Sequence, residues 1–167
     1  MALNDLKDVY TDQLADLWSA CSQSREATMA LSGAASDQDL KDALDAGAEG
    51  ILAGMDAIKD LAARHGFDPE SEHCKGMEGL VREARDHAVE AEFGSDAARD
   101  AMIISQYQRM AHYAIAGWGC CKAFASRLGL GEDARTLDEC LSNTYDGDDR
   151  MTDIATGKDG VNADAVA

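Results

Sequence analysis

The sequence predicts an all-α protein, a bundle of four long helices with one additional crossing helix. Three observations support this prediction. Apolar residues recur every three or four positions along most of the 167-residue chain, which is the period of an amphipathic helix. Only one proline interrupts the chain. No segment shows the alternation of apolar and polar residues that is typical of a half-buried strand.

The first two predicted helices form a long hairpin. Asn4 is the expected cap of the first helix, whose apolar stripe begins at Leu6 and whose end is marked by Ser32-Gly33. Ser36 is the expected cap of the second helix, and Gly66 ends it. Each helix has about 30 residues and is therefore about 45 Å long.

The remaining helices form a second, longer part of the bundle. A shorter third helix ends near Gly94, and Ser95 caps a long fourth helix. Tyr107 and Trp118 lie on the apolar stripe of this fourth helix, and we interpret them as core aromatic residues. The fifth helix follows over about Glu132–Ile154. Because the third helix lies between the two long hairpins, it is the expected crossing element.

Chain length and composition indicate one domain with a short tail. A chain of 167 residues fits one domain of ordinary size. We expect the bundle to span residues 1–155, since the periodic pattern stops there. Residues 156–167 are rich in Gly, Asp, Asn and Ala, and they are expected to form a flexible C-terminal tail.

The charge of the chain excludes several classes of partner. With 15 basic and 32 acidic residues, the net charge is −17. Nucleic acids and anionic membranes require clustered Lys and Arg, so neither is an expected partner. No apolar run approaches the roughly 20 residues of a membrane span. The N-terminus does not resemble a secretory signal, and the five cysteines form no Cys-x-x-Cys pair, which together predict a cytoplasmic protein with reduced thiols.

Three segments resemble the landmark stretches of the YciF-like stress-response family of bacterial ferritin-like proteins: LKDVYTDQLADLWSA (6–20), CKGMEGLVRE (74–83) and QRMAHYAIAGWG (108–119). The order and spacing agree from about Leu3 to Ile154. The resemblance implies a ferritin-like four-helix bundle with an additional helix, and a homodimer. It also implies a two-metal site inside the bundle, where Glu and His side chains would bind iron or manganese.

The chain departs from the family pattern where those metal ligands are expected. Glu83, His112 and Asp148 remain, and Glu49 returns if the alignment shifts by one position. A charged residue stranded in a core is costly, so the joint replacement of ligands is what loss of the metal predicts. The replaced positions carry small or neutral residues: Cys21, Gly50, Gly54, Ala111, Ala114, Asn143 and Thr144.

An altered metal site is the alternative to metal loss. It would use Cys21, Glu83, His112 and Asp148, and its thiolate and imidazole would favour zinc or copper. We favour the loss of the metal, so no cofactor is expected. If an ion is bound, iron, zinc or manganese are the candidates.

Small residues at the predicted bundle centre have two interpretations. Gly47, Gly50 and Gly54 lie inside the second helix, where each costs about 1 kcal/mol relative to Ala. Ala111 and Ala114 are expected to face them from the fourth helix. The simpler interpretation is a close approach of the two helices. The alternative is a cavity that holds a small apolar or thiol-reactive ligand.

The predicted function is therefore a non-enzymatic, stress-associated protein that has lost its two-metal centre and acts by binding a small ligand or a partner protein. One alternative is a metal-dependent oxidoreductase or metal-storage protein with a remodelled site around Cys21, Glu83 and His112. Another is a redox-sensing protein that uses the five cysteines. No catalytic residue is predicted, because no nucleophile can be assigned a matching base and oxyanion donors.

Overall fold

A computed structural model describes residues 3–166 of the protein. Helices account for most of the described chain, and no strand occurs within it, which confirms the all-α prediction. In chain order the elements are α1 (Leu6–Ala34), α2 (Gln38–His65), α3 (Lys75–Ala84), a π-helical turn (Arg85–Val89), α4 (Asp96–Arg127), α5 (Gly131–Thr156) and α6 (Val161–Asp164).

Two of the three predicted helix caps differ from the observed caps by one residue. Asp5 and Asp37 cap α1 and α2, each accepting a hydrogen bond from the backbone N–H three residues further on, where Asn4 and Ser36 were expected. Asn, Ser and Asp are all good N-cap residues, and in each helix the Asp carboxylate accepts the capping hydrogen bond. Ser95 caps α4 as predicted.

The four long helices form a ring in which neighbouring helices run antiparallel. α1 and α5 each pack beside both α2 and α4, so α2 and α4 lie diagonally opposite one another. Arg64 at the end of α2 bonds Asp133 at the start of α5, and His112 in the middle of α4 bonds Asp148 in the second half of α5. These bonds fix the relative directions of the helices around the ring.

The short helix α3 packs against α1 and α4, as predicted for the crossing element, but it ends earlier than expected. The sequence predicted a helix reaching Gly94. Instead, a π-helical turn begins at Arg85, where the N–H of Glu90 donates to the Arg85 carbonyl at 2.9 Å. Ala84 and Ala88 are both fully buried, so the wider turn keeps two small residues against the bundle.

The C-terminal segment packs back on the bundle. Beyond Thr156 the chain turns at Gly157 and forms α6, which contacts α4 and α5. Val161 is buried in the same core cluster as Ile104 and Met151. One apolar residue in a polar segment gives no periodic signal, which is why the sequence predicted only a flexible tail. Flexibility of this segment in solution stays a prediction.

The apolar core is divided into two clusters along the bundle axis. One cluster contains Leu31 and Leu40 and lies near the turn between α1 and α2. The other contains Leu14 and Leu137 and lies toward the opposite end. None of the described helices is both long and apolar enough to cross a membrane. The region between the two clusters is where the candidate site lies.

Candidate functional site

A cavity of about 520 Å³ lies in the middle of the bundle, between the two core clusters, and opens between α2 and α5. We call it the mid-bundle cavity. Its inner wall comes from α1 and α4, and its mouth is formed by exposed residues of α2 and α5. All five small residues singled out by the sequence line it, together with one thiol: Gly47, Gly50, Gly54, Ala111, Ala114 and Cys21.

The three glycines of α2 do not serve a close approach of α2 and α4, because these two helices are diagonal in the ring. That interpretation was wrong. A methyl group at Gly47 would lie 2.7 Å from the hydroxyl oxygen of Tyr107, and one at Gly54 would lie 3.0 Å from Cζ2 of Trp118. Gly50 has nothing within 4 Å. Two glycines thus make room for aromatic side chains of α4, and the third faces open space.

The polar groups in the buried part of the cavity wall are mostly bonded to helix carbonyls. Ser24 and Thr28 donate to carbonyls of the preceding turn at 3.1 and 2.8 Å, and Thr144 donates to Cys140 at 2.8 Å. Tyr107 differs from them. Its side chain lines the cavity, the residue is 7% exposed, and its hydroxyl has no hydrogen-bond partner among the described residues.

Burial raises the pKa of the Tyr107 hydroxyl, and the charge of nearby Asp148 raises it further. The hydroxyl is therefore protonated at neutral pH and available as a donor. The cavity thiols are neutral as well, since burial raises the pKa of Cys21 to about 12 and that of Cys140 to about 11. The buried part of the wall is thus uncharged, and it includes the Tyr107 hydroxyl as a donor without a partner among the described residues.

The structure brings together only two of the four predicted metal-site residues, His112 and Asp148. Nε2 of His112 lies 2.9 Å from Oδ2 of Asp148, on the outer side of α4 and α5. Glu83 accepts from Arg109 at 3.4 Å at the α3–α4 contact. Cys21 lines the mid-bundle cavity, whereas none of the other three does.

The donor set that remains does not fit a two-metal carboxylate centre. Within residues 3–166 no group of three or more His, Cys, Asp or Glu side chains is placed to hold a metal ion. A two-metal centre needs several carboxylates and imidazoles directed at one point. The His112–Asp148 pair supplies two groups, and Oδ1 of Asp148 is buried without a hydrogen-bond partner.

A second polar cluster lies at one end of the bundle. The Asp133 carboxylate accepts from the Tyr10 hydroxyl at 3.1 Å, from Arg64 at 2.5 Å and from Nε2 of His65 at 2.5 Å. Nζ of Lys7 lies 2.8 Å from Nδ1 of His65. Since a lysine ammonium only donates, Nδ1 is the acceptor and Nε2 carries the proton. We call these five residues the end network, and they join α1, α2 and α5.

Electrostatics in the end network favour the ionised carboxylate. Burial alone raises the pKa of Asp133, but hydrogen bonds from His65, Arg64 and Tyr10 outweigh it and lower the pKa below its ordinary value. Burial, and then the charge of Asp133, raise the pKa of Tyr10. Tyr10 therefore remains a neutral donor. The polar groups of the network pair with one another, so we interpret its role as structural.

The cysteines do not form a reactive set. All five are free thiols, and only Cys120 is exposed. Burial raises the pKa of Cys121 to about 12 and also raises that of Cys74, whose Sγ lies 3.0 Å from the Tyr113 hydroxyl. The thiolate is the nucleophilic and metal-binding form of cysteine. These environments disfavour the redox-sensor hypothesis.

Sequence reasoning missed the two features that the tertiary structure brings out. The end network joins Tyr10 and Asp133, which are 123 residues apart in the chain, and no local pattern links them. Tyr107 was interpreted as a core aromatic residue, which is correct for its ring and incomplete for its hydroxyl. The glycines of α2, which are spaced three and four residues apart, were a sequence signal that pointed to this part of the molecule.

Comparison with known proteins gives consistent matches over nearly the whole chain. Residues 5–166 match the family model described as Domain of unknown function (DUF892). Protein YciF of Escherichia coli is 30% identical over 156 residues, which cover 93% of each chain. The crystal structure of the E. coli stress protein YciF superposes with a TM-score of 0.86 at 29% identity, covering 92% of this chain and 96% of that one. YcfI of Rhodopseudomonas palustris gives a TM-score of 0.83 at 24% identity, covering 89% and 94%.

Proposed function

Because this chain belongs to the DUF892 family of YciF-like proteins, we propose that it is a non-catalytic member that binds a small, mainly apolar molecule in the mid-bundle cavity. The single observation behind the proposal is the cavity itself, about 520 Å³ lined by small apolar residues at the centre of the bundle. Ligand cavities of proteins are commonly of this size and lining.

The energetics of the apo bundle support a ligand. Protein interiors are close-packed, and voids lose the contacts that neighbouring atoms would otherwise make. Gly50 in the middle of α2 costs about 1 kcal/mol relative to Ala. Gly50 is exposed at the mouth of the cavity, and unlike Gly47 and Gly54 it has no side chain packed over it. A molecule in the cavity would supply the missing contacts.

The chemistry of the wall supports binding rather than catalysis. The cavity thiols have raised pKa values, and Tyr107 remains protonated. No base is paired with a nucleophile there, and the charged side chains of the lining, Glu139, Asp146 and Arg150, are exposed at the mouth. Such a wall can exclude water and hold an apolar body, but it offers no group for proton transfer.

Four further properties complete the proposal. E. coli YciF is named a stress protein, and for this chain we propose a role in the stress response. A metal-free cavity is proposed because most of the expected ligands are replaced. A homodimer is proposed on the resemblance to the family, and a cytoplasmic location on the free thiols. Metal analysis of protein purified without chelator tests whether the cavity is free of metal. A stoichiometric metal that is lost on His112→Ala would contradict it and favour the remodelled metal site.

The binding proposal is tested with N-phenyl-1-naphthylamine, a neutral dye that fluoresces in apolar surroundings. We expect saturable binding to the native protein at one site. Gly50→Leu fills the open space and should weaken binding at least tenfold. Gly33→Leu is the matched control, because Gly33 is an exposed helical glycine of α1 that also has nothing within 4 Å and does not line the cavity. Equal binding by both variants, or no saturable binding by the native protein, would overturn the proposal.

A further inference from the structure

The mid-bundle cavity is lined by a buried phenol, that of Tyr107, which no described residue bonds. The Tyr107 hydroxyl lies between two helical glycines: a methyl group would be 2.7 Å from it at Gly47 and 3.4 Å from it at Gly147. These glycines admit the hydroxyl between α2 and α5 without bonding it. Tyr107 is 93% buried, since 7% of it is exposed. Its hydroxyl oxygen is not one of the fully enclosed unpartnered atoms of the described residues, so the hydroxyl is reachable from the cavity.

The direction of the missing hydrogen bond follows from the chemistry of the group. Burial and the charge of Asp148 keep the phenol protonated. The neighbouring hydroxyl and thiol groups of the wall are neutral, and the hydroxyls already donate to helix carbonyls. The phenol therefore offers a hydrogen bond to whatever occupies the cavity, either water or the acceptor of a ligand.

The other end of the cavity is formed by an aromatic ring. Trp118 lies 11 positions beyond Tyr107 on α4, which is about 16 Å along the helix at 1.5 Å per residue. Met110, Ala111 and Ala114 line the wall between them. Trp118 is buried and packs over Gly54. This arrangement fits a flat or extended apolar body that contacts the indole and reaches Tyr107 at its other end.

The charge distribution argues for a neutral molecule. The buried wall carries no charged side chain, and the charged residues of the lining are exposed at the mouth. Burying an unpaired ion in such a wall would be strongly unfavourable. The net charge of −17 disfavours anions in addition.

We propose that the cavity ligand is a neutral, flat or extended apolar molecule with a carbonyl-type oxygen at one end, which accepts a hydrogen bond from the Tyr107 hydroxyl. This inference rests on the proposed binding function and specifies its ligand class. Tyr107 is thereby the specificity-determining residue of the cavity. A hydrocarbon of the same size would fill the space but leave the hydroxyl without an acceptor.

The test compares 2-acetylnaphthalene with 2-ethylnaphthalene, which differ in the carbonyl oxygen, by displacement of N-phenyl-1-naphthylamine. The readout is the ratio of the two dissociation constants in native protein and in Tyr107→Phe. We expect the preference for the ketone to fall about fivefold in the variant, the equivalent of one ordinary hydrogen bond. Gly47→Ala, which displaces the hydroxyl, should reduce the same preference.

The outcomes separate this inference from the proposed function. If the dye binds and Gly50→Leu weakens it, but the ratio is the same in native protein and Tyr107→Phe, the ligand class is wrong and the binding function stands. If the dye does not bind the native protein, both fail. Retention of dye affinity by Tyr107→Phe shows that this variant folds, because only the hydroxyl is removed.

Discussion

The end network and the mid-bundle cavity are both buried inside one bundle, and they are built in opposite ways. At the end, Asp133 is an ionised carboxylate surrounded by three donors, and its side chain is 3% exposed. In the middle, Tyr107 is a neutral donor surrounded by glycines and open space. Hydrogen-bonded polar groups thus join three helices at one end of the bundle, whereas in the middle a cavity separates the same helices.

The two regions also differ in what packs around them. Leu14 and Leu137 are fully buried beside the end network. Around the cavity many of the lining residues are Gly and Ala, and α2 and α5 face each other across the mouth. We therefore expect substitutions in the end region to reduce stability and substitutions around the cavity to alter binding more than stability.

The largest expected loss of stability follows from removing the hydrogen-bond acceptor of the end network. Asp133→Ala should lower the free energy of unfolding by about 4 kcal/mol, because Tyr10 and His65 would keep buried polar groups without an acceptor. Chemical denaturation followed by circular dichroism measures it. Asp138→Ala is the control, since Asp138 is exposed and its ion pair with Lys122 should contribute less than about 1 kcal/mol. Equal losses in the two variants would remove the contrast between a buried network and a surface pair.

The same network has a defined pH dependence. The pKa of Asp133 is lowered in the folded protein, so its contribution is fully present above the pKa of an unfolded Asp, about 3.9. That contribution is lost as the pH falls through the lower folded pKa. The stability difference between native protein and Asp133→Asn should therefore be constant near neutral pH and shrink below about pH 4. A difference that grows on acidification would contradict the assignment.

A smaller effect separates a packed apolar site from one beside the cavity. Leu137→Ala should cost about 3 kcal/mol, because Leu137 is fully buried in the cluster beside the end network. Met110→Ala should cost only about half as much, because Met110 is buried but borders the open cavity and has fewer contacts to lose. The midpoints of denaturation curves measure both. A larger loss at Met110 would mean that the cavity is smaller in solution than in the structure.

The smallest effect concerns two glycines that are three residues apart. Gly50→Ala should raise the stability of the ligand-free protein by up to about 1 kcal/mol, because the methyl group meets nothing within 4 Å. Gly47→Ala should give no such gain, because its methyl group would lie 2.7 Å from the Tyr107 oxygen. Melting temperatures of both variants against native protein measure the contrast. A loss of stability in Gly50→Ala would show that the space beside it is occupied.

Much of the architecture could be predicted because it is encoded locally. Apolar spacing, Ser95 as a cap and Gly66 as a left-handed helix end (φ 71°) are signals within a few residues. The YciF-like resemblance was predicted from three segments and is confirmed by the comparisons. The weaker predictions concern the caps at Asn4 and Ser36 and the end of α3, where two adjacent residues or a π-helical turn give nearly the same local signal.

The candidate site was predicted only in part. The glycines at positions 47, 50 and 54 were identified from their spacing, yet the spacing alone favoured close helix packing over a cavity. The choice depends on α2 and α4 being diagonal in the ring and on Tyr107 and Trp118 filling the space over two of the three glycines. Both the helix arrangement and the aromatic packing involve residues that are distant from the glycines in the sequence.

The sequence by itself determined five amphipathic helices, their order and the small residues at their centre, because each of these is a local pattern of residue types. Only the tertiary structure decided that Tyr10 meets Asp133 across 123 residues, that Glu83 and Cys21 lie apart from the His112–Asp148 pair, and that Gly50 faces open space. The physical reason is that a hydrogen bond or a cavity depends on distances of a few ångströms between helices, which a periodic pattern along one helix does not specify.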